Sequence, residues 1–425
     1  MTDAYGRSPP FQAQDWMEPV NMSNLRNGRL ARAKAALFDK HKFGALLSLN
    51  EWNTRYITST YTPPWTGSNS GLRYSLLVRG DEHPIVYEQG DIAYHTQRSS
   101  PWMPAANIRY AITGMGWIAR CMGDSAHRAA VVRFVDQIYP ELKRAGVHKE
   151  VLALDFNDPY IGAAFEAKGV KVSGEGFTVM LEARKTKLQE EVDCLRNTCV
   201  IGDTMFQALV DTARPGVSEN EVLGEAFKAC YKNGGEVHSG VFVTSGPYSW
   251  PNLRHWTGRR LQHRDVIYMD VYNTAWNGYK TCYYRTFSLG EPSKATKAAY
   301  QRAYDWLYDA INIIKPGISS KDIAMKWPPG PDIWGDIGVV HEDQTAGNNW
   351  AHGIGLTLYE APLVWRGCSL DHPMEIEEGM TFAIETQEGD GEGQGVRIEE
   401  VIRVTKTGVE FLSKWPVKEI TVIDC

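Results

Sequence analysis

The sequence predicts an α/β protein of two domains. Three observations carry that expectation: a length of 425 residues, a first half in which helical and strand-like apolar runs alternate, and a second half in which one helix, Pro-Gly and cap pattern occurs twice. At 43% hydrophobic and 23% charged residues, the composition is that of a globular chain long enough to bury a sizeable core.

Taken in order, Met22 to Lys40 reads as a helix, Gly44 to Leu49 as a short apolar strand, and Trp52 to Trp65 as a turn-rich aromatic segment. Arg73 to Val78 and Ile85 to Tyr87 read as a strand pair, followed by a helical stretch after Ala126 and a strand from Val151 to Asp155. A charged connector, LEARKTKLQEEVDCL, then sets a boundary near Glu182, dividing the chain into domains 1–182 and 183–425. Beyond it Leu188, Val192, Leu195, Cys199, Met205 and Leu209 recur at helical spacing. That helix stops at Ala213-Arg214-Pro215, because the residue before a proline is pushed out of the helical region.

From this stop onward the chain repeats itself. Pro215 to Val222 reads PGVSENEV, and Pro316 to Ile323 reads PGISSKDI, again after a long helix, Lys294 to Ile314. In each copy a serine stands three residues before an acid, Ser218 before Glu221 and Ser319 before Asp322, the arrangement of a capping box that opens a second helix. Two similar halves would place a site at their interface, where pockets commonly form.

Charge and cysteine usage narrow the partners. The formal net charge is −6 with both signs interspersed, so no basic face suits nucleic acid and no polybasic segment suits an anionic membrane. The N-terminal run MTDAYGRSPPFQAQDW lacks the charged-then-apolar pattern of a signal peptide, and no stretch approaches the ~20 apolar residues of a membrane span. A cytoplasmic protein acting on a small polar molecule is expected. Seven cysteines, Cys121, Cys194, Cys199, Cys230, Cys282, Cys368 and Cys425, form an odd set without a C-x-x-C pair and fit reduced thiols.

Four segments carry the chemistry: SGPYSWPNLRHW from Ser245, VIYMDVYNTAWNGYKTCYYRTF from Val266, HGIGLTLYEAP from His352 and MTFAIETQEGDGEGQGVRIEEVIRVT from Met380. Asp270 is expected to project from the end of a buried strand, and Glu385 and Glu399 to do likewise. Buried charges are costly unless paired or bound to metal. Asp270, His352, Glu385 and Glu399 therefore form a candidate set of oxygens and one imidazole, suited to Mn, Fe, Co or Zn.

The order of these pieces, a histidine near a Ser-Gly loop, an aspartate on a strand followed by G-Y and R-T, then H-G-I-G, then a glutamate on a strand, then V-R-I-E-E, resembles the creatinase/prolidase family of pita-bread enzymes. The resemblance covers about the whole chain. It implies a creatinase-like N-terminal α/β domain and a C-terminal pita-bread domain with a pseudo-twofold repeat. It also implies metal ligands at Asp270, His352, Glu385 and Glu399, and a substrate-contacting, acid/base histidine at His255. The stretches NEWNTRYITST and GGEVHSGVFVTSGPYSWP are similar to the branch that contains dimethylsulfoniopropionate lyases of the DddP type.

Two departures from the family pattern stand out. The second, bridging aspartate is replaced by Cys282, and the second histidine after H-G-I-G by Tyr359. A thiolate ligates one Zn or Fe but does not bridge two hard cations as a carboxylate does, so the expected cofactor is at most one divalent ion (Zn, Fe or Mn), or none, with Cys282 among the ligands. A phenol at 359 can donate to a developing oxyanion, or act as a base where a neighbouring cation lowers its pKa. Trp52, Arg55 and Trp65 are expected to meet substrate, since an arginine among aromatics suits a carboxylate or a cationic head group nearby. Arg397 is placed with them, as is the proline-rich loop at Trp327.

The expected function is hydrolysis of a C–N bond in a small amide, amidine or Xaa-Pro-like substrate, with catalytic roles for His255, His352, Tyr359 and Glu385. The alternatives are a lyase acting on a small carboxylate such as dimethylsulfoniopropionate, and an inactive binding protein on the same fold. By family resemblance the chain is expected to form a homodimer.

Overall fold

The computed structural model describes residues 20–61, 72–112, 121–237, 240–251, 254–345 and 349–424. It divides into two compact units, Asn21–Arg184 and Lys185–Cys425.

The first unit is built on a six-stranded sheet, β1 (Ala45–Ser48), β2 (Tyr74–Val78), β3 (Ile85–Glu88), β4 (Ile108–Tyr110), β5 (Val151–Leu154) and β6 (Lys171–Ser173), in the order β4-β3-β2-β1-β5-β6. Strands β1, β2 and β3 are buried throughout and read as mostly apolar runs rather than as an alternating pattern, because both faces are covered. Helices α1 (Met22–Lys34), α2 (Glu51–Thr58), α3 (Gly90–Ser99), α4 (Asp124–Arg144), α5 (Pro159–Glu166) and α6 (Gly176–Arg184) complete it. The first helix is shorter than expected, because Ala35–Lys40 continues it as a π-helical turn.

Of the segment Trp52 to Trp65 expected as turns, residues 52–58 are instead helix α2, and residues 62–65 lie outside the described residues. Asn50 caps it, accepting hydrogen bonds from the backbone N–H groups of Trp52 (3.0 Å) and Asn53 (3.0 Å). Asp155 at the end of β5 accepts from Leu49 N–H at 2.9 Å and from the Asn53 side chain at 2.8 Å. A buried acid from a distant strand thus pins the start of the helix.

The second unit opens with the long helix α7 (Gln189–Thr212) and its neighbour α8 (Glu219–Lys232). Its strands are β7 (Glu236–Val237), β8 (Phe242–Ser245), β9 (Val266–Asp270), β10 (Thr274–Trp276), β11 (Tyr279–Lys280) and β12 (Tyr284–Leu289). After helices α9 (Lys294–Ile311), α10 (Ser320–Ala324) and α11 (Gly330–Trp334) come β13 (Trp350–Gly353), β14 (Glu360–Val364), the short α12 (Arg366–Ser369), β15 (Thr381–Gly389), β16 (Gly395–Val404), β17 (Val409–Phe411) and β18 (Thr421–Ile423). They form a four-stranded sheet, β18-β12-β9-β8, and a five-stranded sheet, β14-β13-β15-β16-β17, beside the small sheet β11-β10-β7. The two larger sheets meet where β12 lies along β16: the Thr286 hydroxyl donates to the Arg397 carbonyl at 2.7 Å and accepts from the Arg397 N–H at 3.1 Å.

The repeat is present in the hydrogen bonding as well as in the sequence. At the first Pro-Gly corner Gly216 N–H donates to the Leu261 carbonyl and Leu261 N–H returns to Val217, both at 2.8 Å. At the second, Gly317 N–H donates to Ile376 at 2.8 Å and Ile376 N–H returns to Ile318 at 2.9 Å. Glycine serves at both corners because φ is +93° at Gly216 and +88° at Gly317, values that side chains disfavour. Both capping boxes form, although α10 is far shorter than α8.

Trp327, expected to meet substrate, is fully buried in the second unit's core with Tyr300, Leu307 and Ile398. Among the described residues no helix is long and apolar enough to cross a membrane.

Candidate functional site: a buried acid, imidazole and thiol cluster

The site grows from the pairing of β15 with β16. Their register sets Glu385 directly opposite Glu399, and side chains directly opposite in an antiparallel pair share one face. The two acids therefore sit in mid-strand, where strand ends were expected. Alternation along β16 puts Arg397 on the face of Glu399 and sends Glu400 to the other. There Glu400 pairs with the buried Arg285 at 2.8 Å.

Like charges directly opposite are unfavourable, and Arg397 resolves one of the two. Its guanidinium contacts Glu385 Oε2 through Nε at 2.8 Å and Nη2 at 2.7 Å. The indole N–H of Trp350, in register with Glu385 on β13, donates to the other oxygen of the carboxylate. Arg397 also lies over the Tyr284 ring, 4.2 Å from its centroid. Expected to meet substrate, Arg397 is buried and committed to holding Glu385. Arg55 is likewise buried in the first unit, over Tyr61 at 4.1 Å, and Trp52 lies in the first turn of α2 in that unit. Trp65 lies outside the described residues.

Glu399 is different. It is 0% exposed, and apart from the Cys282 thiol beside it neither carboxylate oxygen meets a hydrogen-bond donor among the described residues. His352, two residues along β13 from Trp350 and so on the same face, brings Nε2 to 3.9 Å from Glu399 Oε1. With Nδ1 facing the Gly353 carbonyl at 3.3 Å, Nε2 is the nitrogen turned to the acid. Cys282, just ahead of β12, completes the group: one ligand atom each from Cys282, His352 and Glu399 lie within 4.8 Å of one another. Asp270 borders it, its Oδ1 3.8 Å and Oδ2 4.0 Å from the Cys282 sulfur.

Burial dominates the electrostatics. It pushes Glu399 well above the usual carboxylate range, with the Glu385 and Asp270 charges adding to the effect. Asp270 is raised to about 7 by burial and then by Glu385, and Glu385 is raised by burial against the lowering influence of Arg397. Burial holds the His352 imidazole down at about 4, leaving it neutral and able to ligate. It also raises the Cys282 thiol, helped by Asp270. Three acids around a single guanidinium, with Glu399 met only by a thiol and an imidazole, fit a site that holds a cation.

The loop from His352 to Pro362 is anchored from behind. Lys187 and Glu360 form a buried ion pair at 2.8 Å, and Lys280 donates to the Leu356 carbonyl at 2.9 Å. A side chain at Gly353 would meet the carbonyl oxygens of Ala361 (2.6 Å) and Glu360 (2.7 Å), so the glycine is required by strand approach. Tyr359 projects from this loop, 54% exposed, its ring 4.6 Å from that of His352 and 5.4 Å from that of Trp350. Burial, then Cys282 and Glu385, raise its pKa. A raised pKa favours a proton-bearing phenol, suited to donating a hydrogen bond.

His255 stands apart. It is exposed, its ring against Trp256 (5.5 Å) and Phe242 (6.2 Å), and no hydrogen bond or ion pair joins it to the acids among the described residues. Phe242 is in register with Asp270, so His255 borders the strand pair that carries that acid. Trp350 and the two lysines were not singled out from the sequence. Trp350 had a usable signal, its two-residue spacing from His352 on one strand. The lysines had none, because their partners come from distant segments.

A family model for Metallopeptidase family M24 matches residues 193–406, which hold the acids, Cys282, His352 and Tyr359. Among curated proteins, a "Probable dipeptidase PepE" of Mycobacterium tuberculosis is 25% identical over 244 residues, 57% of this chain and 62% of that protein. An "Xaa-Pro dipeptidase" of Pyrococcus furiosus is 24% identical over 302 residues, 69% of this chain and 81% of its own. Among solved structures, the Xaa-Pro dipeptidase from Bacillus anthracis shares the fold with a TM-score of 0.69 at 20% identity, over 93% of this chain and 99% of that one.

Proposed function

We propose, from the premise that this chain belongs to metallopeptidase family M24, that it hydrolyses a C–N bond in a small peptide-like substrate, with Xaa-Pro dipeptides the favoured class. The observation that carries this reading is the buried group of Cys282, His352 and Glu399 at the centre of the matched region. The names of the relatives, dipeptidase and Xaa-Pro dipeptidase, support the substrate class.

In this reading Cys282, His352 and Glu399 would hold a divalent ion, which when bound supplies polarisation of a carbonyl and a more acidic water. The chain's own groups do the rest. Arg397 and Trp350 fix Glu385, so that carboxylate keeps one orientation at the edge of the group. Tyr359, half exposed above His352 and still carrying its proton, donates to the oxygen on which negative charge develops. His255, in the exposed segment beside Phe242, passes a proton to the departing nitrogen. Lys187 and Lys280 keep the Tyr359 loop in place and take no part in proton transfer.

The test is product analysis in ¹⁸O-labelled water against dipeptides with and without proline at the second position. One labelled oxygen in the released carboxyl group is expected, together with a loss of about 10²-fold or more in kcat for Tyr359→Phe, the usual cost of one oxyanion donor. An alkene product, or no turnover across the panel, overturns the reading.

A further inference from the structure

We propose that Cys282, His352 and Glu399 form a mixed sulfur, nitrogen and oxygen site for a single zinc-class cation, in which the Cys282 thiolate is a ligand. This rests on the reading that the buried group holds metal, and not on which bond the protein cleaves.

The argument is geometric. Ligands at the usual zinc distances, near 2.0 to 2.3 Å, stand about 3.5 Å from one another around a tetrahedral ion. The three atoms here already lie within 4.8 Å of one another, so a contraction of about an ångström, within reach of side-chain rotation, closes the site. Glu399, 0% exposed, meets no hydrogen-bond donor beyond the Cys282 thiol among the described residues and stands beside the imidazole. A buried carboxylate with so little hydrogen bonding suits a metal ligand.

The same geometry limits the number of ions. A second cation roughly 3.5 to 4 Å from the first needs anions shared between the two. Glu385 is neutralised by Arg397 and bonded by Trp350. Cys282 offers one sulfur where a second carboxylate would offer two oxygens. Asp270 is left on that flank with the thiol as its neighbour at 3.8 Å. One sulfur, one nitrogen and one oxygen suit zinc or cobalt(II) better than manganese or magnesium, which favour all-oxygen shells.

The experiment is titration of the metal-free, full-length protein with cobalt(II), followed by absorption. Saturation at one equivalent per chain with an intense near-ultraviolet thiolate-to-cobalt band is expected. Cys282→Ser should fold by far-ultraviolet circular dichroism, lose the band and bind at least about 10-fold more weakly, since changes even outside the ligand shell cost that much. Cys282→Asp should lose the band and take up a second equivalent. Saturation without the band, a band that survives in Cys282→Ser, or two equivalents in the unaltered protein overturns the proposal. A dipeptide panel that fails while the band persists counts against the hydrolase reading alone.

Discussion

Arg397 and Glu385 show how much of the site is decided by single contacts. Removing one partner of a buried pair leaves an uncompensated charge, whereas removing both can be nearly neutral. Arg397→Met is therefore expected to cost about 3 to 5 kcal/mol in urea unfolding, and Arg397→Met with Glu385→Gln to recover most of it. A double variant as unstable as the single one would show that the arginine acts through its packing on Tyr284. At this scale the sequence displayed which residues carry chemistry, because acids and a histidine on apolar strands are conspicuous. It did not display their allegiances. Arg397 lies two residues from Glu399, yet pairs with Glu385 across the strand, a choice made by register. That Glu399 is the acid left without a partner emerges only once Arg397 and Trp350 are placed.

The helices and strands were legible where their signals are local. Ser218 and Glu221 read as a capping box because both partners lie within four residues, and the box forms: Glu221 N–H donates to the Ser218 hydroxyl at 3.2 Å, and Ser218 N–H to the Glu221 carboxylate at 2.8 Å. The Ser218 backbone N–H, and then its hydroxyl, hold the Glu221 pKa below the ordinary value. A carboxyl group with a lowered folded-state pKa stabilises above its unfolded pKa and loses that contribution as pH falls through the folded one. The difference in urea midpoint between the unaltered protein and Glu221→Gln should thus be largest near neutral pH and close as pH drops below about 4.3, the ordinary glutamate value. A difference independent of pH would mean that the charge of the Glu221 carboxylate contributes nothing to the cap. Helix α2 was misread for the opposite reason. Its aromatic content suggested turns, and the acid that anchors the first turn, Asp155, stands about a hundred residues away.

At the scale of the whole molecule, each unit has its own apolar core, one around Leu47, Leu76 and Phe134 and the other around Leu307, Ile384 and Ile398. A ligand that binds only the folded second unit stabilises only that unit, by about 4 kcal/mol at a thousandfold excess over Kd. Calorimetry with zinc and then with chelator should show two heat absorptions, of which one moves. A single absorption that moves as a whole would show that the cores unfold together. The repeat was visible at this scale because Pro-Gly corners and capping boxes are sequence punctuation, but its reach was not. Asp270 and Glu385 stand at the same remove from Leu261 and Ile376, and their strand partners, Tyr284 and Glu399, correspond as well. By the same correspondence Cys282 is the counterpart of Arg397. Each sits diagonally from its acid, the thiol 3.8 Å from Asp270 and the guanidinium 2.8 Å from Glu385. The two flanks of the site are thus built on one pattern, a strand pair with an acid and a diagonal neighbour. At that diagonal position one half carries a permanent cation that neutralises its acid, and the other a sulfur that leaves its acid without one.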